Sequence, residues 1–262
     1  MTSKENNKET IEYLENNNYF GYNKEYVKFF IQGQIPAIDT NGKILLETKY
    51  NIKETPDGNG GIFKAMYKNG IVDDMIEKNI KWLFIGSIDN ALLKMVDPLL
   101  VGIAEESKVL AAAKSLVKCS PTEKVGVFCK RNNKPSVIEY TELSEKMANL
   151  RDENGELVYG ESHIMCNLFN VKVLKQIGTK NLPYHSAFKK ISYIDKNGIK
   201  KEPEAPNGYK FENFIFDAFE TIPEIRILRV KREEEFAPVK NKQGEDSPET
   251  AKKLYNNYFN KK

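Results

Sequence analysis

The stretch "NIKETPDGNGGIFKAMYKNG", residues 51–70, packs Pro56, Asp57, Gly58, Asn59, Gly60 and Gly61 into one corner and then turns at once into a helical pattern. Glycine lacks a Cβ, so such a corner lets a planar base or a phosphate lie against the main chain, with N–H groups and a helix start as donors. The alternative is a tight turn that is merely rich in glycine, and spacing alone does not separate the two. The corner is neither the phosphate-cradling loop ending in Lys-Ser/Thr nor GxGxxG. From Gly60 onward, Ile62, Ala65, Met66, Val72, Met75 and Ile76 recur every three or four residues, which predicts a helix of about four turns that is weakest at Gly70. Next, "KWLFIGSIDN" (81–90) reads as a strand buried on both faces, with Asp89 just past its carboxyl end. Strand, glycine-rich turn, helix, buried strand and terminal acid, in that order, are the grammar of an open α/β sheet. Ligands of such sheets sit beyond the carboxyl ends of the strands.

Outward from this stretch the pattern continues. Before it, "NKETIEYLENNNYFGY" (7–22) reads as a helix capped at Gly21, and "YVKFFIQG" (26–33) and "GKILLET" (42–48) read as short strands. After it, "PLLVGIAEESK" (98–108) looks helical and "VLAAAKSLVKC" (109–119) extended, while "VGVFCKRNNKPSVIEY" (125–140) has the alternation and turn of a hairpin. A short helix at 142–150, a buried strand "HIMCNLFNV" (163–171), a helix ending near Gly178 and a second hairpin at 189–203 follow. "KFENFIFDAFETI" (210–222) is expected to be a helix carrying four Phe, "EIRILRVKR" (224–232) a late strand, and "SPETAKKLYNNYF" (247–259) a helix capped by Ser247 with Pro248 at its first position.

The chain has 262 residues, 40 basic against 37 acidic side chains and no concentrated basic face, so it is an ordinary globular protein and no polynucleotide partner is expected. Cys119, Cys129 and Cys166 are far apart and read as reduced, buried thiols. No apolar run approaches the roughly 18 residues of a membrane span, so a membrane partner is not expected and the expected setting is cytoplasmic.

Three places carry candidate chemistry: the Gly58–Asn59 corner, Asp89 and Lys240. A carboxylate held at a strand end, such as Asp89, can ligate Mg²⁺ bridging phosphates, or simply cap the next helix. Lys240, after the Phe-Ala-Pro turn, can act as a point charge on a phosphate, or be one more solvated lysine. His163 and His185 have no partner at metal-ligand spacing and read as structural. Phe211, Phe214, Phe216 and Phe219 read as core, with one edge available to line a pocket.

Taken together, "FFIQGQIPAID" (29–39), "ETPDGNGGIFKAM" (54–66), "SIDNALLKMVDPLLVG" (87–102), "EKVGVFCKRNNKPSVIEYTELSE" (123–145), "APNGYKFENFIFDAFE" (205–220) and "LRVKREEEFAPVKNKQGEDSPETA" (228–251) resemble the UDP-N-acetylhexosamine (UDP-N-acetylglucosamine) pyrophosphorylases in order and spacing. These are a branch of the UTP-dependent sugar-1-phosphate uridylyltransferases. The resemblance implies a Rossmann-like, mixed-sheet α/β nucleotidyltransferase domain. It also implies attack of a sugar 1-phosphate, N-acetylglucosamine 1-phosphate first and glucose 1-phosphate as the alternative, on the α-phosphorus of UTP with Mg²⁺ assistance. By the same resemblance, Gln32, Gly58 and Asn59 lie at the uridine end, Asp89 near the metal and diphosphate, and Lys240 on a phosphate. Gly126, Glu139 and Asn167 surround the sugar, with Phe214 and Phe216 as a wall of its pocket.

Two departures accompany it. Where the family typically reads Gly-Asn-Ile ahead of Asn-His-Phe, this chain reads "SHIMCNLF" (162–169), so His163 stands at a sugar-facing Asn and Asn167 is retained. The family's Gly-rich loop with its Thr-Arg-Leu-Gly run, and its C-terminal region, have no counterpart in 1–262. Residues 1–262 are therefore expected to be the central and C-terminal part of one catalytic domain, N-terminally incomplete. The alternatives are a non-catalytic UDP-sugar-binding fragment or a subunit completed by an N-terminal chain.

Overall fold

The structure is a computed structural model describing residues 1–260. Along the chain, helix α1 (Asn7–Asn16) is followed by the short strands β1 (Gln34–Pro36), β2 (Ile38–Asp39) and β3 (Glu54–Pro56), then helices α2 (Ile62–Lys68) and α3 (Ile71–Glu77). Strand β4 (Trp82–Gly86), helix α4 (Pro98–Glu106), strands β5 (Ala111–Val117), β6 (Val127–Arg131) and β7 (Lys134–Ile138), helix α5 (Glu145–Ala148), strand β8 (Glu161–Asn170) and helix α6 (Val171–Thr179) come next. Strands β9 (His185–Lys189), β10 (Tyr193–Ile194), β11 (Lys200–Lys201) and β12 (Gly208–Glu212), a 3-10 helix at Ile215–Thr221, β13 (Arg226–Arg229), α7 (Arg232–Glu235) and α8 (Pro248–Phe259) complete it.

Two compact units emerge, Met1–Glu77 with Leu174–Ala218, and Lys78–Val173 with the chain from Phe219 onward. In the first, β12 pairs with both β2 and β9 in an antiparallel three-stranded sheet, and β1 pairs with β3. Ala37, Leu45 and Ile191 form one small core there. The expected four-turn helix is two helices broken where it was expected to be weakest. Gly70 takes φ +69°, and Asn69 donates its side-chain amide back to the Ala65 carbonyl. The expected strands at 26–33 and 42–48 do not form. Ile31 makes one isolated bridge to Thr2, and Ile44 and Leu46 make single bridges to Ile38 and Ile52, because none of these runs finds a partner long enough to build a ladder.

The second unit is built on a six-stranded mixed sheet in the order β13-β5-β8-β6-β7, with β4 also on β8. β13 runs parallel to β5 and the other pairs are antiparallel. β8, the expected buried strand, is the axis, and its Ile164, Cys166, Leu168 and Phe169 are buried. Around them Leu100, Ala104, Ala112 and Leu116 complete two core clusters. The hairpin β6–β7 turns on Asn132 and Asn133, both at positive φ, as a two-residue turn of matching twist requires. α4 starts at Asp97, which accepts from the Leu99 N–H at 2.9 Å, with Pro98 next. α8 starts in a capping box between Ser247 and Thr250. Two expectations are corrected here. β4 is half-exposed over Trp82, Leu83 and Phe84 instead of buried on both faces, and among the described residues it pairs with β8 alone. Of the three cysteines only Cys166 is buried, and burial pushes its thiol up to about 11, whereas Cys119 is exposed.

The expected Phe-bearing helix at 210–222 is also corrected. Phe211 lies on β12, paired with Ser186 of β9, and only Ile215–Thr221 is helical, in 3-10 form.

Candidate functional site

In the first unit the glycine corner folds against its own chain. Gly58 adopts φ +86°, and a Cβ there would lie 2.4 Å from the Asn213 carbonyl oxygen; one on Gly60 would lie 2.6 Å from that of Phe214. The N–H of Asn213 donates to the Asp57 carbonyl at 2.7 Å, and that of Gly60 to the Asn213 carbonyl at 2.9 Å. Asn59 accepts from the Ile215 N–H through Oδ1 at 2.8 Å. Asn213 itself is pinned by its side-chain amide, which donates to the Leu182 and Pro183 carbonyls. So the glycines admit the main chain of residues 213–214, and the corner and that segment are one rigid piece. Phe214 and Phe216 stack at 5.0 Å on the same segment, and His185 packs 4.7 Å from Phe214 while its Nε2 meets the Asp217 carboxylate at 3.1 Å. Phe214 is half-buried and Phe216 buried, and Gln32 is half-buried with its N–H given to the Thr2 carbonyl.

Asp57 is a residue that spacing did not single out. It is buried and its Oδ1 has no hydrogen-bond partner. A Cβ on Gly33 or on Gly61 would come within 2.2 Å of its carboxylate oxygens, so those two glycines make room for an acid. Burial holds its pKa above the usual carboxylate range, against a smaller lowering from its own backbone and from the Gln32 side-chain amide.

In the second unit Asp89 sits in the turn after β4, half-buried, and caps no helix; Asp97 does that for α4. Ser87 donates to the Asp89 carboxylate, and the Ser87 N–H donates at 2.9 Å to the carbonyl of Met165. Met165 has φ +54° and lies in a bulge of β8, where the pairing with β5 shifts between Ala113 and Ser115. Opposite Asp89 runs the segment that ends in Lys240, whose side chain is exposed. Behind both, Lys114 is fully buried and donates to Asp97 at 2.7 Å, to Glu235 at 2.6 Å and to the Lys94 carbonyl at 3.1 Å. Burial works against the Asp97 charge, but Lys114 and the Leu99 N–H outweigh it and keep its pKa low. Lys114 was legible as a lone charge within "AAAKSLV"; its two acids were not.

Of the residues expected around a sugar, Gly126, Glu139 and Asn167 lie in this unit, whereas Phe214 and Phe216 lie in the first. A Cβ on Gly126 would stand 3.3 Å from Glu139 Oε1 and 2.9 Å from Val137. The Gly126 carbonyl accepts from the His163 N–H at 2.8 Å, and His163 Nε2 is 2.9 Å from Asn167 Oδ1. Asn167 is fully buried, and His163 stands edge-on to Phe128 and Phe219 at 5.2 and 6.2 Å. Burial drives the His163 pKa down from 6.5 to about 4, so the ring is neutral at pH 7 and donates from Nε2 to Asn167.

The family model for UTP–glucose-1-phosphate uridylyltransferases matches residues 1–246. The chain belongs to this family. Within it, the chain is 41% identical over 95% of its length to the "Probable UDP-N-acetylglucosamine pyrophosphorylase" of Dictyostelium discoideum, and covers 53% of that protein. It is 39% identical over 97% of its length to the UDP-N-acetylglucosamine pyrophosphorylase of Saccharomyces cerevisiae, covering 55% of it. The solved Trypanosoma brucei uridine diphosphate N-acetylglucosamine pyrophosphorylase, in complex with an inhibitor, superimposes with a TM-score of 0.83 at 33% identity, over 95% of this chain and 51% of that one. The chain thus spans about half the length of the curated relatives it matches. The mixed α/β sheet is the fold that the resemblance implied.

Proposed function

We propose that residues 1–262 form the central and C-terminal part of one uridylyltransferase catalytic domain that transfers UMP from UTP to N-acetylglucosamine 1-phosphate. The observation carrying this reading is the chain-long identity to UDP-N-acetylglucosamine pyrophosphorylases from two organisms. In the reaction a phosphate oxygen of the sugar 1-phosphate attacks the α-phosphorus of UTP. The bond from that phosphorus to the bridging oxygen breaks, and pyrophosphate leaves with the electron pair. Such chemistry depends on placing the reactants and neutralising phosphate charge, so few side chains need to move protons. In this reading Gln32, Gly58 and Asn59 hold the uridine end, and Phe214 and Phe216 of the same unit present an aromatic wall to the ligand. Gly126 leaves room beside Glu139, whose carboxylate accepts from sugar hydroxyls; Asn167, oriented by His163, completes that set. Lys240 is the point charge on a phosphate.

Mg²⁺ is the cation this reading implies, with Asp89 as its residue. Among the described residues no group of three His, Cys, Asp or Glu side chains could hold a metal ion. The Asp89 carboxylate, half-buried and already accepting from Ser87, would be the residue to hold Mg²⁺, an ion that needs only one or two protein carboxylates. Bound there, it supplies charge neutralisation on the phosphates. The proposed setting is cytoplasmic, and a complementing chain carrying the family's Gly-rich loop is among the proposed partners. No helix of the described residues is long and apolar enough to cross a membrane.

Calorimetric titration of UDP-N-acetylglucosamine and of UDP-glucose, each with Mg²⁺, tests the reading. Saturable binding that favours the N-acetylated sugar is expected. The reverse preference would move the chain to the glucose 1-phosphate reading, for which the family description speaks, and absence of binding to either would overturn both. Gly58→Val puts a β-branched side chain at φ +86° with its Cβ 2.4 Å from the Asn213 carbonyl, so the corner must open. Strain of roughly 1–3 kcal/mol at such a position translates to a loss of about tenfold or more in UDP-sugar affinity. Unchanged affinity would separate the corner from the nucleotide.

A further inference from the structure

We infer that Asn90 is the positioning residue that fixes Asp89 against the segment ending in Lys240. The inference rests on the phosphate-end reading of Asp89 and Lys240 given above. Asn90 is buried, and its side chain reaches across to a segment 145 residues later in sequence: Nδ2 donates to the Glu235 carbonyl at 2.8 Å. Its Oδ1 accepts from the Ala237 N–H at 2.8 Å and from the Leu92 N–H at 3.2 Å. On either side of it the two main chains close an antiparallel bridge. The Val239 N–H donates to the Asp89 carbonyl at 2.7 Å, and the Ala91 N–H to the Ala237 carbonyl at 3.0 Å, with Asn90 opposite Pro238. Proline is tolerated at that place because the ladder asks nothing of its nitrogen.

The geometry has a directional consequence. A one-residue slip of this bridge would reverse the face that Asp89 presents relative to the segment ending in Lys240, since side chains alternate along a paired strand. Among the main-chain groups only Pro238, which has no N–H to give, opposes such a slip, since every other residue of the bridge carries the same donor and acceptor. The Asn90 amide, with one acceptor and one donor at set places, is satisfied by Ala237 and Glu235 together in one register only. Glu235 is in turn anchored at its carboxylate by Lys114 at 2.6 Å, so the segment that Asn90 grips is fixed from behind. Asn90 therefore acts through the placement of two other residues and touches no substrate.

The test compares the affinities of uridine and of UDP with Mg²⁺, by calorimetry on the full chain and on Asn90→Ala. The ratio of UDP to uridine affinity is expected to fall about tenfold, while uridine affinity stays within about twofold of the parent. Asn90→Asp retains both accepted bonds and loses the donated one; it is expected to lower the ratio in the same direction, and it carries the test if Asn90→Ala shows no cooperative melting. An unchanged ratio in both variants, or a parallel loss of uridine and UDP affinity, would overturn the inference. Lys240→Ala separates the two levels. If it leaves the ratio unchanged, the phosphate-end reading fails and the inference with it; if it lowers the ratio and the Asn90 variants do not, the inference alone fails.

Discussion

Lys114→Met is expected to destabilise the chain by about 3–5 kcal/mol, the cost of leaving a buried acid without its cation. The Lys114 ammonium has three donors, and the structure gives it three acceptors: the Asp97 and Glu235 carboxylates at 2.7 and 2.6 Å and the Lys94 carbonyl at 3.1 Å. Methionine keeps the stem's length and apolar packing, so the change isolates the charge. Asp97 retains some exposure and its place at the start of α4, but the Glu235 side chain is only 6% exposed. Lys94 lies 3.8 Å from Glu235 Oε1 and recovers part of the loss. Urea unfolding at pH 7 reads the difference, and adding Glu235→Gln to Lys114→Met should restore more than half of it by removing the stranded charge. A single-variant cost below about 1 kcal/mol would mean that the cluster opens to water.

That cluster also shows where sequence reasoning ends. The start of α8 was readable because Ser247-Pro248 acts on N–H groups two or three residues away, whereas the cap of α4, offered to Asp89, belongs to Asp97. β8 and the β6–β7 hairpin were readable for a similar reason: an apolar run and a pair of Asn residues state their preference locally. The segment around Phe211, Phe214, Phe216 and Phe219 was read as helix, since the spacing of three from Phe211 to Phe214 and from Phe216 to Phe219 suits a helical period. What decided it was pairing of Phe211 with Ser186, a choice made by another part of the chain. At the corner, the need for glycine at 58 and 60 was legible, but its cause was not. The main chain pressed against them belongs to Asn213 and Phe214, some 150 positions later. Asp57 illustrates the same limit from the polar side, since nothing near it in sequence marks a carboxylate enclosed by Gly33 and Gly61. The resemblance supplied Gly126, Glu139 and Asn167, and their mutual closeness through His163 required coordinates.

His163 yields the second large effect, an acid lability confined to a stated window. Its pKa falls from 6.5 to about 4 on burial, so between those values the unfolded chain binds a proton that the folded one refuses. Stability therefore rises with pH in this window. It is fully present above 6.5 and is lost as pH drops toward 4, by up to about 1.4 kcal/mol per pH unit and about 3 kcal/mol in all. Asp57 contributes with the opposite sign, because its raised pKa makes the folded state the better proton acceptor, and Asp97 adds to acid lability through its lowered one. A comparison that cancels both is needed. His163→Asn replaces the ring by a neutral amide able to donate toward Asn167, with every other titrating group unchanged. Urea-unfolding free energies measured from pH 4 to 7 should show the parent losing about 3 kcal/mol more than the variant over that range. The baseline of the variant is expected to be lower, since the space between Phe128 and Phe219 is then underfilled; the slope, not the baseline, reads the proton. Parallel curves would place the His163 proton equilibrium at its unfolded value, which requires water to reach the ring between Gly126 and Asn167.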